Sequence, residues 1–173
     1  MFIELLKKRR SIRKFKDKTV EKEKIDLLIE AALRSPSSRS LNPWEFIVIT
    51  DKSTLYELSC SKPHGASFLK NAALGIAIIA DPEKCDVWIE DSSIASTYIQ
   101  LAAESIGLKS CWIQIRKRFY KDDITAEKRA AQILDVPENY RVESIIAIGY
   151  PDETKQGHKK ESLLYDKVHY EKY

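Results

Sequence analysis

A chain of 173 residues, 43% hydrophobic and 32% charged with five glycines and six prolines, is long enough for one domain with a real core and is neither disordered nor fibrous. Its net charge of +3 is too small to select a class of partner. No run reaches the roughly 20 apolar residues that span a bilayer. Basic residues follow Leu6 at once, where a secretory signal would continue apolar, so a cytosolic protein is expected. Cys60, Cys85 and Cys111 are odd in number and widely spaced, which fits reduced thiols better than a disulfide framework.

Taken along the chain, Phe2, Leu5 and Leu6 predict a short first helix. Ile25, Leu28, Ile29, Ala32 and Leu33 predict a stronger one that must end before Pro36. Trp44 to Ile49 reads as a strand, after which Asp51 or Ser53 caps a helix carrying Leu55 and Leu58. Leu74 to Ala80 reads as a buried strand closed by Asp81 and Pro82. The next helix, capped by Asp91 or Ser92 and closed by Gly107, carries two adjoining apolar stripes: Ile94, Tyr98, Leu101 and Ala95, Ile99, Ala102, Ile106. So broad an apolar girth implies cover on more than one side, inside the domain or from a partner subunit. Cys111 to Ile115 predicts a strand, Ala126 to Leu134 a helix, and Ser144 to Tyr150 a last strand. Alternating helices and strands leave α/β and α+β layered domains both open. Beyond Pro151 the tail is polar to Lys160 and then carries Leu163, Leu164, Tyr165, Val168, Tyr170 and Tyr173, the composition of a tail that docks.

Four segments hold the candidate chemistry. From Lys7 to Lys18, eight of twelve residues are Lys or Arg. Within that run, Arg9, Arg10, Ser11, Ile12, Arg13 offers planar bidentate donors around a short hydroxyl, a set that suits a phosphate monoester as well as it suits a solvated surface. Pro36, Ser37, Ser38, Arg39, Ser40, Leu41, Asn42, Pro43, Trp44 cannot be helical and is rich in hydrogen-bonding groups, as a binding loop or an ordinary connection would be. The helix-to-strand passage from Ala95 to Gln114 and the run Ile145 to Pro151 are, singly, core. Cys60 and His64 stand four apart without a second pair of ligands, so no metal is expected. Glu90 and Asp91 fit helix-start carboxylates better than an acid and base pair.

Taken in order, R-R-S-x-R, P-S-S-x-x-x-x-P-W, L-A-A-x-x-x-G-L-x-x-C-W and I-G-Y-P resemble the nitroreductase family of FMN-dependent oxidoreductases from about Phe2 to Pro151. The resemblance implies an α+β fold with a mainly antiparallel central sheet flanked by helices, in an intertwined homodimer. Residues 1–173 then form one FMN-binding domain whose tail, 151–173, docks on the partner subunit. It also implies that Arg9, Ser11 and Arg13, helped by Arg10, grip the FMN phosphate and ribityl chain, while Pro36, Ser37, Ser38, Ser40 and Asn42 reach the flavin of the other subunit. Trp112, Ile113 and Gln114 lie beside the ring, and Lys159 or Lys160 completes the phosphate site.

The chain departs from the family in having Ser40 where many relatives have Asn, Asn42 where many have Gln, and Gln114, Ile115, Arg116 where many are glycine-rich. Flavin carries the hydride chemistry, so no side-chain catalyst is required. A backbone N–H from the segment around Ile113 to Ile115 and a cation such as Arg13 would tune the ring.

The expected activity is NADH- or NADPH-driven reduction of nitroaromatics, quinones or other electron-poor small molecules by a ping-pong hydride mechanism, without nucleic-acid or membrane partners. A flavin sensor without turnover, or a polyanion-binding module using the basic segment, are the alternatives.

Overall fold

The computed structural model describes residues 1–173. Helices α1 (Phe2–Lys8) and α2 (Lys22–Leu33) precede strand β1 (Trp44–Ile49) and helix α3 (Lys52–Ser59). Strand β2 (Leu74–Ala80), the long helix α4 (Trp88–Ser105) and strand β3 (Lys109–Gln114) follow. A small hairpin of β4 (Phe119–Lys121) and β5 (Ile124–Thr125), helix α5 (Ala126–Ile133) and strand β6 (Arg141–Gly149) complete the set. The sheet order is β1-β2-β6-β3. Every pairing in it is antiparallel, which removes the parallel α/β arrangement that element order alone left open and gives the α+β class.

Alternation along the strands feeds two cores. Ala77, Ile79, Ile113, Ile145 and Ala147 pack with Leu55 and Leu58 of α3 and Ala126 and Ala130 of α5 on one face. Ile76, Ile78, Ile146 and Ile148 pack with Leu28 and Ala32 of α2 and Ala95, Ile99 and Ala103 of α4 on the other. The sheet is therefore covered on both faces, and its strands read as nearly continuous apolar runs.

Local chemistry explains the boundaries. Asp51 caps α3 by accepting the Thr54 N–H at 2.8 Å, and Gly107 follows α4 at φ +79°, the left-handed region glycine tolerates. Two sequence expectations shift. Asp91 and Ser92 do not cap α4, because Trp88 and Ile89 extend the helix a turn earlier with Val87 at its N-cap. Asp91 is turned instead toward the proline-serine loop. Strand β6 begins at Arg141 and not at Ser144, because its register against β2 jumps from Ile78↔Ser144 to Ile79↔Val142. Glu143 is the extra residue of this β-bulge, which breaks the alternation on which the sequence reading relied.

The bulge buries the Glu143 carboxyl at 2% exposure, with Oε2 lacking any partner. Burial raises its pKa, against smaller opposing effects from Ser144, Ser93 and Arg116. The unfolded chain releases this proton at the ordinary carboxylate pH while the folded chain retains it. Stability therefore falls as pH rises from the unfolded value through the folded one. In Glu143→Gln this slope disappears, so denaturant unfolding between about pH 5 and pH 8 should show the variant gaining on the parent as pH rises. The thiols offer a second check. Cys60 is exposed whereas Cys85 and Cys111 are buried, so a thiol reagent should titrate one cysteine in the native protein and the other two only after denaturation.

Candidate functional site at the open edge of strand β3

β3 pairs with β6 on one side only. On its other side the segment after α1 runs past the first residues: Ser11 bridges Ser110, and the Ile12 N–H donates to the Ser110 carbonyl at 3.1 Å. Ile12 and Phe15 drop into the core. Phe15 bridges Pro151, the Lys16 N–H donates to the Tyr150 carbonyl and the Asp152 N–H to the Lys14 carbonyl. The basic run is thus extended and pinned at alternate positions.

The I-G-Y-P motif is structural here. A Cβ on Gly149 would lie 3.0 Å from the Phe15 ring, so glycine admits the close approach. The Tyr150 hydroxyl donates to Glu21 at 2.6 Å and accepts from Lys24 at 2.8 Å, tying β6 to the start of α2. That hydrogen bond is the main reason the Glu21 carboxyl is lowered to about 2.

Charge converges beside Ser110. Burial pushes the Cys111 thiol up, while Arg13, a Ser11 hydrogen bond, Lys155 and Arg9 all act on it in the opposite sense. The positive field of these cations thus reaches the first residues of the strand edge. Lys155 donates to the Ser11 carbonyl at 3.0 Å and pairs with Glu153 at 3.2 Å, and Glu153 also accepts the backbone N–H groups of Arg13 and Lys14. Arg10 reaches the Gln156 carbonyl. Neither Arg9 nor Arg13 takes part in any ion pair, leaving both guanidinium groups available to an anion. Lys160 opens the exposed turn Lys160–Ser162 and lines a 550 Å³ cleft with Lys7, the first residue of the basic run, and with Leu6, His158 and Tyr165. Lys155, in a polar stretch without a periodic signal, is a further late lysine beside the basic segment.

Beyond Ser110 the edge of β3 is uncovered by a strand. Backbone groups in an antiparallel strand alternate sides. The outward Ser110 carbonyl therefore sets Trp112 and Gln114 outward too, and Ile113 inward toward β6. Lys62 confirms the phase by donating to the Gln114 carbonyl at 2.7 Å. The Ile113 side chain is fully buried and its backbone faces the ladder, so Trp112 and Gln114, not Ile113, present N–H groups along the open edge. The Gln114 side chain is engaged by Trp112 Nε1 at 3.0 Å and by the Arg116 carbonyl at 2.8 Å. Burial, with Arg118 nearby, lowers the pKa of Lys62, which marks a second cationic point about 13 Å from Ser110 at ordinary strand rise. Lys62 stands in a turn where the sequence drew attention only to Cys60 and His64. A surface depression of 730 Å³ along α5, between Thr125 and Arg141, lies apart from this arrangement.

The proline-serine loop is held elsewhere. Arg39, Ser40 and Asn42 adopt φ of 52°, 52° and 46°, left-handed conformations that cost non-glycine residues about 1 kcal/mol each. Ser37 accepts the Asn42 N–H at 3.0 Å and donates to its side chain at 2.7 Å. Pro36 is exposed at the end of the α2 connection. No hydrogen bond or ion pair joins Pro36, Ser37, Ser38, Ser40 or Asn42 to Arg9, Arg10, Ser11 or Arg13, so one chain presents the two halves of the expected site on separate elements.

The chain resembles proteins of known sequence and structure over its full length. A protein of Archaeoglobus fulgidus, provisionally named an NADH dehydrogenase/NAD(P)H nitroreductase, is 32% identical over 99% of this chain and 98% of its own. A similarly named protein of Methanothermobacter thermautotrophicus is 33% identical over 99% of this chain and 87% of its own. The solved structure of an FMN-dependent nitroreductase from Clostridium difficile R20291 superposes with a TM-score of 0.97 at 56% identity, covering 99% of both chains. The family model described as Nitroreductase family matches residues 6–62 and 59–150. With the basic segment, the loop and the β3 edge all inside the matched region, this chain belongs to the nitroreductase family.

Proposed function

We propose that the protein is an FMN-dependent NAD(P)H oxidoreductase that reduces nitroaromatics, quinones or related electron-poor small molecules as a cytosolic homodimer. The observation that carries this reading is the basic segment laid along the open edge of β3, with Ser11 bridging Ser110, Lys155 bonded to the Ser11 carbonyl, and neither Arg9 nor Arg13 taken up in an ion pair. Two unpaired guanidinium groups, an ammonium and a hydroxyl match the donor set a phosphate monoester asks for. A strand edge with outward N–H groups admits a flat polar ring beside it.

In this reading Arg9, Ser11, Arg13 and Lys155 hold the phosphate and ribityl chain, with Arg10 supporting the Gln156 end. The N–H groups of Trp112 and Gln114 face the ring, and Lys62 joins Arg13 as a cation near it. Pro36, Ser37, Ser38, Ser40 and Asn42 serve the flavin of the partner subunit, which accounts for their separation from the cradle within one chain. FMN, when bound, supplies the hydride-accepting centre. The protein's own groups fix its position, neutralise its phosphate and keep fixed dipoles aimed at it. Reductant and acceptor then use the same face in turn, a ping-pong sequence.

The dimer is argued from apolar exposure. Ala95, Ile99 and Ala103 of α4 are buried, but the second stripe leaves Ile94 and Tyr98 39% and 40% exposed, and Tyr98 shares an apolar cleft with Leu101 and with Phe2 of α1, itself 64% exposed. A contiguous patch of this kind marks an interface. The chain forms one unit over 1–173 whose tail, with Leu163, Leu164, Tyr165, Val168 and Tyr170 exposed, docks on the partner. Free Cys60, Cys85 and Cys111 support a reducing compartment.

The purified protein should be yellow, and its flavin band should bleach anaerobically with NADH or NADPH and recover on adding a quinone or nitroaromatic. A colourless protein that cannot be loaded with FMN would overturn the reading. Arg9→Ala combined with Arg13→Ala removes two charge-assisted contacts of about 1.5 to 3 kcal/mol each. Flavin titration should therefore show an affinity loss of at least about a hundredfold. Tyr98→Asp places a charge in the exposed stripe of α4, and sedimentation should then show a shift from dimer to monomer with concurrent loss of flavin.

A further inference from the structure

The proline-serine loop is strained, and the structure shows what holds it. Asp91, in the first turn of α4, is 3% exposed. Its Oδ1 accepts the Ser38 N–H at 2.9 Å and its Oδ2 accepts the Cys85 thiol at 3.5 Å. The same stretch of chain grips the loop twice more: Lys84 donates to the Asn42 carbonyl at 3.0 Å, and Arg39 pairs with Asp86. The contacts from 84 to 91 thus bracket the left-handed residues Arg39, Ser40 and Asn42 on both sides. A buried carboxylate committed to one backbone N–H and one thiol is a costly device for mere surface connection. It is explained if the loop must be presented in one conformation.

We propose that Asp91, supported by Cys85 and Lys84, is a positioning residue that sets Ser37, Ser38, Ser40 and Asn42 for contact with the flavin held by the partner subunit's cradle. The proposal rests on the FMN reading above. Without the Asp91 acceptor the Ser38 N–H loses its partner and the left-handed run relaxes, so the loop binds only after it has been ordered.

The test is FMN titration of full-length dimers. Asp91→Ala should weaken FMN binding about tenfold or more. Asp91→Asn, whose amide oxygen still accepts the Ser38 N–H, should restore most of that loss. Lys84→Met, on an exposed side chain that leaves the core intact, should weaken binding severalfold. Mixed dimers pairing an Asp91→Ala chain with an Arg9→Ala, Arg13→Ala chain separate positioning from general destabilisation. One of their two sites combines an intact cradle with an intact loop, so they should bind FMN at near parental affinity with half the stoichiometry. Mixed dimers that bind no better than either variant alone would overturn the cross-subunit role. Parental affinity in both Asp91→Ala and Lys84→Met would overturn the latch. Parental affinity in the Arg9→Ala, Arg13→Ala homodimer would instead sink the FMN reading itself.

Discussion

The hydrogen bond from the Ile12 N–H to the Ser110 carbonyl sets the geometry of everything at the candidate site. It lays an extended, strongly basic segment along the first residues of β3 and stops there, leaving the rest of that strand's edge without a neighbour. Were the segment to continue as a fifth strand, Trp112 and Gln114 would be consumed in a ladder. Were it to leave sooner, Ser11 would not lie against Ser110, and Lys155 would lose its place on the Ser11 carbonyl there. The side chains that enforce the stop are Ile12 and Phe15, both sunk in the core. Cationic residues otherwise indistinguishable from a solvated surface are thereby held along one strand edge by the apolar burial of Ile12 and Phe15.

The same division of labour explains the loop. Burial cannot hold Arg39, Ser40 and Asn42 in the left-handed region, because none of them is buried. Polar bonds from the start of α4 do so instead. The cradle is rigid through packing and the loop through hydrogen bonds, and each depends on a different face of the sheet.

Most of the fold was legible because its signals are local. Trp44–Ile49 and Leu74–Ala80 coincide with their strands, and Asp51 caps α3 as its spacing predicts. In α4 the sequence implies cover on more than one side; within one chain Ala95 and Ile99 are buried while Ile94 and Tyr98 stay exposed. The start of β6 was not legible, since a bulge is a property of pairing and leaves no mark in a single strand. Asp91 was misread for a related reason. Its partner Ser38 lies 53 residues away, and a carboxylate near a helix start defaults to capping when no tertiary acceptor or donor is in view. Among candidate site residues, Arg9, Ser11 and Arg13 were singled out by the motif they share with the nitroreductase family. Lys155 and Lys62 were not, because a lysine in a polar stretch carries no information until the chain folds it against Ser11 or Gln114.

The bulge in β6 has a consequence for how the sequence is allowed to vary. Val142 and Ser144 sit two positions apart yet lie on opposite faces of the sheet, one with Ile79 and the other with Ile78, and that is possible only because Glu143 has no cross-strand counterpart there. A chain shortened by this one residue would recover ordinary pairing with both neighbours still on their present sides. The register with β2 therefore has no use for Glu143, whose carbonyl instead accepts the Ile115 and Arg116 N–H groups just past β3. What its side chain contributes is a single acid group lodged beneath α4, a place that regular pairing cannot reach.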